Sequence, residues 1–346
     1  MKISSHEQTQ VGSPATLLAI LPDTCNTPDG MCLLPDNSII VSIPNFNEEN
    51  PKLNLKAHGG RLIKITPDNK AEEFYVFPNH IRPFGIARAP NSSLYVADLQ
   101  YFNDKNQKSR IWRLDIKNDQ VEKIVLMASG LNVANGVAIH NGFLYITESV
   151  LIEGSSPLIS AVLRFRLDEE NVTLKTPLQD DPHVFAIFRS TTANSKKWAF
   201  GADGIAFDSK GNLFIGLFGD GVIYKVVFNK EGTIVSNTIF SKAPGQMINC
   251  DGMSCDKRTD KLYVADSANN AVQVIHPDGK VETLSMNGVV PNTTSKLSGL
   301  LVQPCEALVR GDTIVVSNMD WPFADFKNEK IGYLKPATLS VIPFKK

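Results

Sequence analysis

Little in this sequence points to nucleic acid, a membrane or a disulfide scaffold. Basic and acidic residues nearly cancel, 35 against 36, for a net charge of −1. There is no basic excess of the kind that marks a nucleic-acid or anionic-membrane binder, and no acidic tail. No apolar run approaches the roughly 18 residues that a spanning helix requires. The segment Met1 to Gln10 is polar and lacks the apolar stretch of a secretory signal. Cysteines number five, too few for a disulfide framework and odd, so at least one is free. Helical patterning is missing too, because no apolar period of 3.6 residues persists over a helix length. These absences predict a cytoplasmic protein with reduced thiols and no nucleic-acid or membrane partner.

What is present is an ordinary globular composition, 42% hydrophobic and 21% charged over 346 residues, which suffices for a sizeable core. One segment type recurs six times: a small or acidic residue, usually Gly, then an apolar run, a polar turn and a second apolar run. The copies begin PDGMCLL at Pro28, PFGIARA at Pro83, ANGVAIH at Ala134, ADGIAFD at Ala202, CDGMSCD at Cys250 and CEALVRG at Cys305. The Gly position falls at Gly30, Gly85, Gly136, Gly204, Gly252 and Ala307, with spacings of 55, 51, 68, 48 and 55 residues. Each copy reads as a hairpin, with turns such as Asp36-Asn37-Ser38 and Asn141-Gly142. The flanks are β-branched and aromatic, as in Leu94-Tyr95-Val96 and Leu262-Tyr263-Val264. Two further strand-like stretches follow each hairpin. The period suits a four-stranded blade.

The pattern predicts an all-β, six-bladed β-propeller with four-stranded blades around a central channel. Residues 15–346 form its single domain, after a polar extension over 1–14. The strand Ala15 to Leu21 is expected to complete the last blade and close the ring, which removes exposed sheet edges. Two stacked β domains are the alternative, and they leave the sixfold motif unexplained.

Such connectivity places the short turns on one face and the residues before each Gly on the other, around the axis. Those residues are Asp29, Phe84, Asn135, Asp203, Asp251 and Glu306. A single Asp-Gly pair is accounted for by a turn. Five carboxylates or amides in register call for more. Converging oxygen donors without a His or thiolate cluster suit a hard cation, calcium before magnesium. Without a cation, several carboxylates near one axis repel each other strongly.

At these residues, and most specifically in ANGVAI, ADGIAFDSKGNLFIG and CDGMSCDKRTDKLYVAD, the sequence resembles the senescence marker protein/gluconolactonase/luciferin-regenerating enzyme family. Paraoxonases, diisopropyl-fluorophosphatase and strictosidine synthase share that shape more distantly. The resemblance covers roughly residues 27–318. It implies a catalytic calcium held by Asp29, Asn135, Asp203 and Asp251. Asp29 stands where the family usually has Glu, and Asp203 where it usually has Asn, so the centre is more anionic than the pattern. The implied activity is hydrolysis of a lactone or related ester, with Asp251 as base or nucleophile.

Other residues carry weaker expectations. His80, ahead of the second inner strand, could shuttle a proton, and His58 lies near the first-blade loop. His6, His140, His183 and His276 read as peripheral. The cysteines read as small buried hydrophobes, and zinc is not expected. Val150-Leu151-Ile152, Phe185, Phe188, Trp198, Phe200, Asp320-Trp321-Pro322-Phe323, Asn45-Phe46 and Tyr101-Phe102 either wall an apolar substrate pocket or pack between blades. Two rival functions remain at this stage. One is a metal-free condensing enzyme resembling strictosidine synthase, with Glu306 as its acid–base group. The other is a non-catalytic binding scaffold, since fold alone does not exclude one.

Overall fold

The computed structural model describes residues 10–46, 59–78, 81–101, 108–190, 199–287, 293–320 and 335–344. Its strands group into six sheets, antiparallel except for one two-residue strand, and each sheet contains one of the predicted hairpins. The inner strands are Met31–Leu33, Pro83–Arg88, Ala134–His140, Ala202–Phe207, Met253–Asp256 and Pro304–Arg310. The second strands are Ile39–Ile43, Leu94–Asp98, Phe143–Ile152, Leu213–Leu217, Lys261–Asp266 and Thr313–Asn318. Each pairs with the inner strand before it. Ile39–Ile43 and Leu213–Leu217 are buried at every position. Both faces of these sheets are covered by neighbouring blades, so the strands read as continuous apolar runs rather than alternating ones. The outermost strands meet solvent, as in Ala71–Val76 with its Glu72 and Glu73.

Apolar side chains collect into six clusters, one for each pair of adjacent blades. Ile40, Leu62, Ile86 and Val96 join blades 1 and 2. Ile39, Val41, Val315 and Leu339 join blade 6 back to blade 1. Each such side chain withdrawn from water contributes about 1.5–3 kcal/mol. The ring is also closed by hydrogen bonding. Thr16–Ile20 pairs with Thr338–Pro343, with Thr16 opposite Val341 and Ile20 opposite Thr338, so the chain's first part supplies blade 6's outer strand. On the short-turn face Arg310 of blade 6 reaches the Asn37 carbonyl (3.0 Å), Asn69 Oδ1 (2.7 Å) and the Thr66 carbonyl (3.1 Å) of blade 1.

Two blades carry an extra strand. Val11–Gly12 extends blade 5 along Val281–Met286. Val172–Thr173 leaves blade 3 and runs parallel to blade 2's outer strand, Gln120–Leu131. That excursion takes up much of the long 68-residue interval between Gly136 and Gly204. Within it His183 is held between Asp181 Oδ1 (2.8 Å from Nδ1) and Glu169 Oε2 (2.9 Å from Nε2) and stacks on Phe165.

Candidate functional site

The repeated Gly is explained by close approach. A Cβ on Gly30 would lie 2.7 Å from the Phe84 carbonyl oxygen and 2.9 Å from the Gly85 Cα. Gly85, Gly136 and Gly204 meet the carbonyls of Asn135, Asp203 and Asp251 in the same way. Each Gly therefore lets the next inner strand come in at the axis, and its backbone does not take up a left-handed conformation. The residue before each Gly is carried to the same level of the channel.

One cavity of about 400 Å3 runs along the inner strands, and Asp29, Asn135, Asp203, Asp251 and Glu306 all line it. Asp29, Asn135 and Asp203 are buried, while Asp251 and Glu306 keep partial access to the cavity. The fourth blade's Asp203 accepts a hydrogen bond from Asn135 Nδ2 (2.8 Å). The Gly252 amide donates to Asp251 Oδ1 (3.0 Å) and the Ala307 amide to Glu306 Oε1 (3.1 Å). Asp29 Oδ2 is buried with no hydrogen-bond partner.

The electrostatics are those of like charges confined together. Burial is the largest cause holding the Asp29 carboxyl well above the usual range, and the charges of Asp203 and Glu306 add to it. Burial and Glu306 raise Asp203, against the Asn135 hydrogen bond. Asp251 is raised by burial, then by Asp203 and Asp29. Glu306 is pushed up to about 8 by burial. Asp251 and Glu306 are only partly exposed, and desolvation remains the largest cause for both. A cation among these oxygens would relieve the repulsion and satisfy Asp29 Oδ2. Among the described residues no three His, Cys, Asp or Glu side chains already stand as a compact metal-holding group. The cavity's thiols do not compete as donors. Burial pushes Cys32 and Cys255 up to about 12 and Cys305 well above its usual value, which keeps them protonated.

A second set of polar residues, of which the sequence had singled out only Asn45 and that as a pocket-wall or packing residue, positions the first. A polar residue in the later part of a second strand, or just beyond it, accepts amides from the segment leading into the inner strand. Asn45 Oδ1 takes the Asn26 amide (2.8 Å) and Asp98 Oδ1 the Arg82 amide (2.9 Å). Glu148 takes the amides of Asn132 (2.8 Å) and Val133 (2.6 Å), just before Asn135. Asp266 takes those of Ile248 (3.3 Å) and Asn249 (3.1 Å), just before Asp251. Asn318 Oδ1 takes the Val302 amide (3.0 Å). For Asp98, Glu148, Asp266 and Asn318 the signal was visible as the polar residue ending VAD, ITE, VAD and VSN.

Several residues that the sequence left as either pocket wall or inter-blade packing take the second role. Phe188 is buried against Tyr224, and Phe185 packs on Tyr145 and Phe228 between blades 3 and 4. Val150 and Leu151 belong to the core between blades 2 and 3. These four pack between blades and do not line the cavity. Phe46 meets Phe84 edge-on at 5.8 Å, and Tyr101 meets Phe200 at 6.1 Å. His140 stacks on Phe207, away from the acids, and His276 pairs with Glu282. His80, His58, Phe102, Trp198 and Trp321 to Phe323 lie outside the described residues.

Comparison with solved structures gives the fold a set of neighbours. A calcium-binding protein, regucalcin from Agrobacterium tumefaciens, superposes with a TM-score of 0.58 at 12% identity, over 96% of this chain and 94% of its own. A gluconolactonase from Xanthomonas campestris gives 0.56 at 12%, over 98% of each chain. The likeness is one of fold. A pyrroloquinoline quinone-bound aldose sugar dehydrogenase from Streptomyces coelicolor scores as high, 0.56 at 14% identity over 95% of this chain and 97% of its own. No protein-family model and no curated sequence matches the chain. The choice among chemistries therefore rests on the residues at the channel.

Proposed function

We propose that the chain is a calcium-dependent hydrolase of a lactone or related carboxylic ester, working at the mouth of the central channel. The observation that carries the reading is the meeting of Asp29, Asn135, Asp203, Asp251 and Glu306 in one cavity, with Asp29 Oδ2 buried and unpaired. The names of the gluconolactonase and regucalcin neighbours agree with it.

In this reading Asp29, Asn135, Asp203 and Asp251 hold the cation. The donor set fits: carboxylate and amide oxygens with no available thiolate. Asn135 donates its amide nitrogen to Asp203, which leaves its carbonyl oxygen for a cation. When bound, the ion supplies Lewis acidity to a substrate carbonyl oxygen. Asp251 keeps access to the cavity and acts as base, taking a proton from the attacking water, or as nucleophile on the carbonyl carbon.

Asp251→Asn is expected to lose lactone or ester turnover by about a hundredfold or more while still binding calcium. Unchanged turnover would sink the assigned role. One observation favours a second reading, metal-free acid–base chemistry at Glu306, whose carboxyl is pushed up toward neutral pH. Activity that survives exhaustive chelation is the outcome that reading requires.

A further inference from the structure

Blade 6 adds a carboxylate at the position that supplies ligands elsewhere in the ring. Glu306 Oε2 lies 2.7 Å from where a Cβ on Gly252 would stand, so the side chain folds over the residue following Asp251. The bases that line the same cavity are at the far end of the inner strands and are engaged there. Arg88 Nη2 donates to Ser92 Oγ (2.7 Å) and Lys257 Nζ to the Asp208 carbonyl (3.0 Å). Fully ionised, Asp29, Asp203, Asp251 and Glu306 carry four negative charges, which one divalent ion only half neutralises. Independently, Asp29 Oδ2 is buried and unpartnered, and Arg88 and Lys257 are the only bases among the described residues that line the cavity.

We propose that Glu306 is a fourth charged participant in the cation centre and that the centre consequently selects for ionic charge, favouring a trivalent ion over a divalent one. The inference rests on the reading of the site as a cation centre. Its content is specific to Glu306: the ring discriminates by net charge, and blade 6 sets how strongly. The like-charge effect of Glu306 on Asp29, Asp203 and Asp251 is consistent with this placement.

The test uses the full chain stripped by chelator, with calcium and terbium as probes, in competition calorimetry and thermal melting. Wild type is expected to prefer terbium. Glu306→Gln should lower the terbium-to-calcium affinity ratio by about tenfold or more, and Glu306→Asp, which keeps the charge, should hold it. Glu306→Gln should also gain less in melting temperature than wild type on adding either ion. An unchanged ratio, or a gain in melting temperature on adding terbium as large as that of wild type, overturns the inference. Binding of cation by wild type with Glu306→Gln indistinguishable from it overturns this proposal alone. No binding of either ion by wild type overturns the cation centre as well.

Discussion

At the residue scale, Gly204 and its counterparts are the price of bringing acids together at an axis. A side chain at Gly204 would run into the Asp251 carbonyl, which is backbone and cannot swing away. Gly204→Ala is therefore expected to destabilise by about 1–3 kcal/mol, seen as a lower urea midpoint. A variant as stable as wild type would show that the inner strands tolerate separation. The acids themselves were legible in the sequence because they recur in register beside this Gly. The reason for the Gly was not, since Asp-Gly in a linear sequence reads equally well as a turn. Asp29 Oδ2 and the placement of Glu306 against Gly252 emerge only when the blades are closed into a ring.

At the scale of elements, hairpins were read correctly from turn residues and β-branched flanks, and all six pair as expected. The two-residue strand Val172–Thr173 was not legible. It is too short for a periodicity and its partner lies in another blade. The residues closing the second strands were visible but had no local reason to be polar until their amide partners came into view. Glu148 is the most consequential of these. Burial raises it to about 7, against the amides of Val133, Asn132 and Val150. A carboxyl raised on folding binds its proton more tightly in the folded chain. Its contribution to stability is thus fully present below about pH 4.5 and is lost as pH rises toward about 7. Glu148→Gln should remove that slope, worth about 3 kcal/mol at most, in melting curves taken between those pH values. A slope that persists unchanged would mean Glu148 is ionised throughout.

At the scale of the whole molecule, six cores between successive blades and a final sheet built from both ends of the described chain make stability a property of the closed ring. Removing residues 1–20 takes away Thr16–Ile20 and bares the edge of Thr338–Pro343. Melting is expected to fall by about 10 °C or more with increased self-association by size exclusion. Melting unchanged from the full chain would contradict closure as a source of stability. The sixfold repeat made this closure legible. Whether the loop aromatics wall a pocket was not, because residues such as Phe185 and Phe188 serve equally well between blades, where the structure puts them.

The central claim is that the channel acids form a cation centre. The most direct test is a calorimetric titration of the chelator-stripped chain with calcium, with Asp203→Ala alongside. One site in wild type, weakened by about tenfold or more or abolished in Asp203→Ala, is the predicted result. Wild type that takes up no calcium, or a variant that binds it as well as wild type, would contradict the claim.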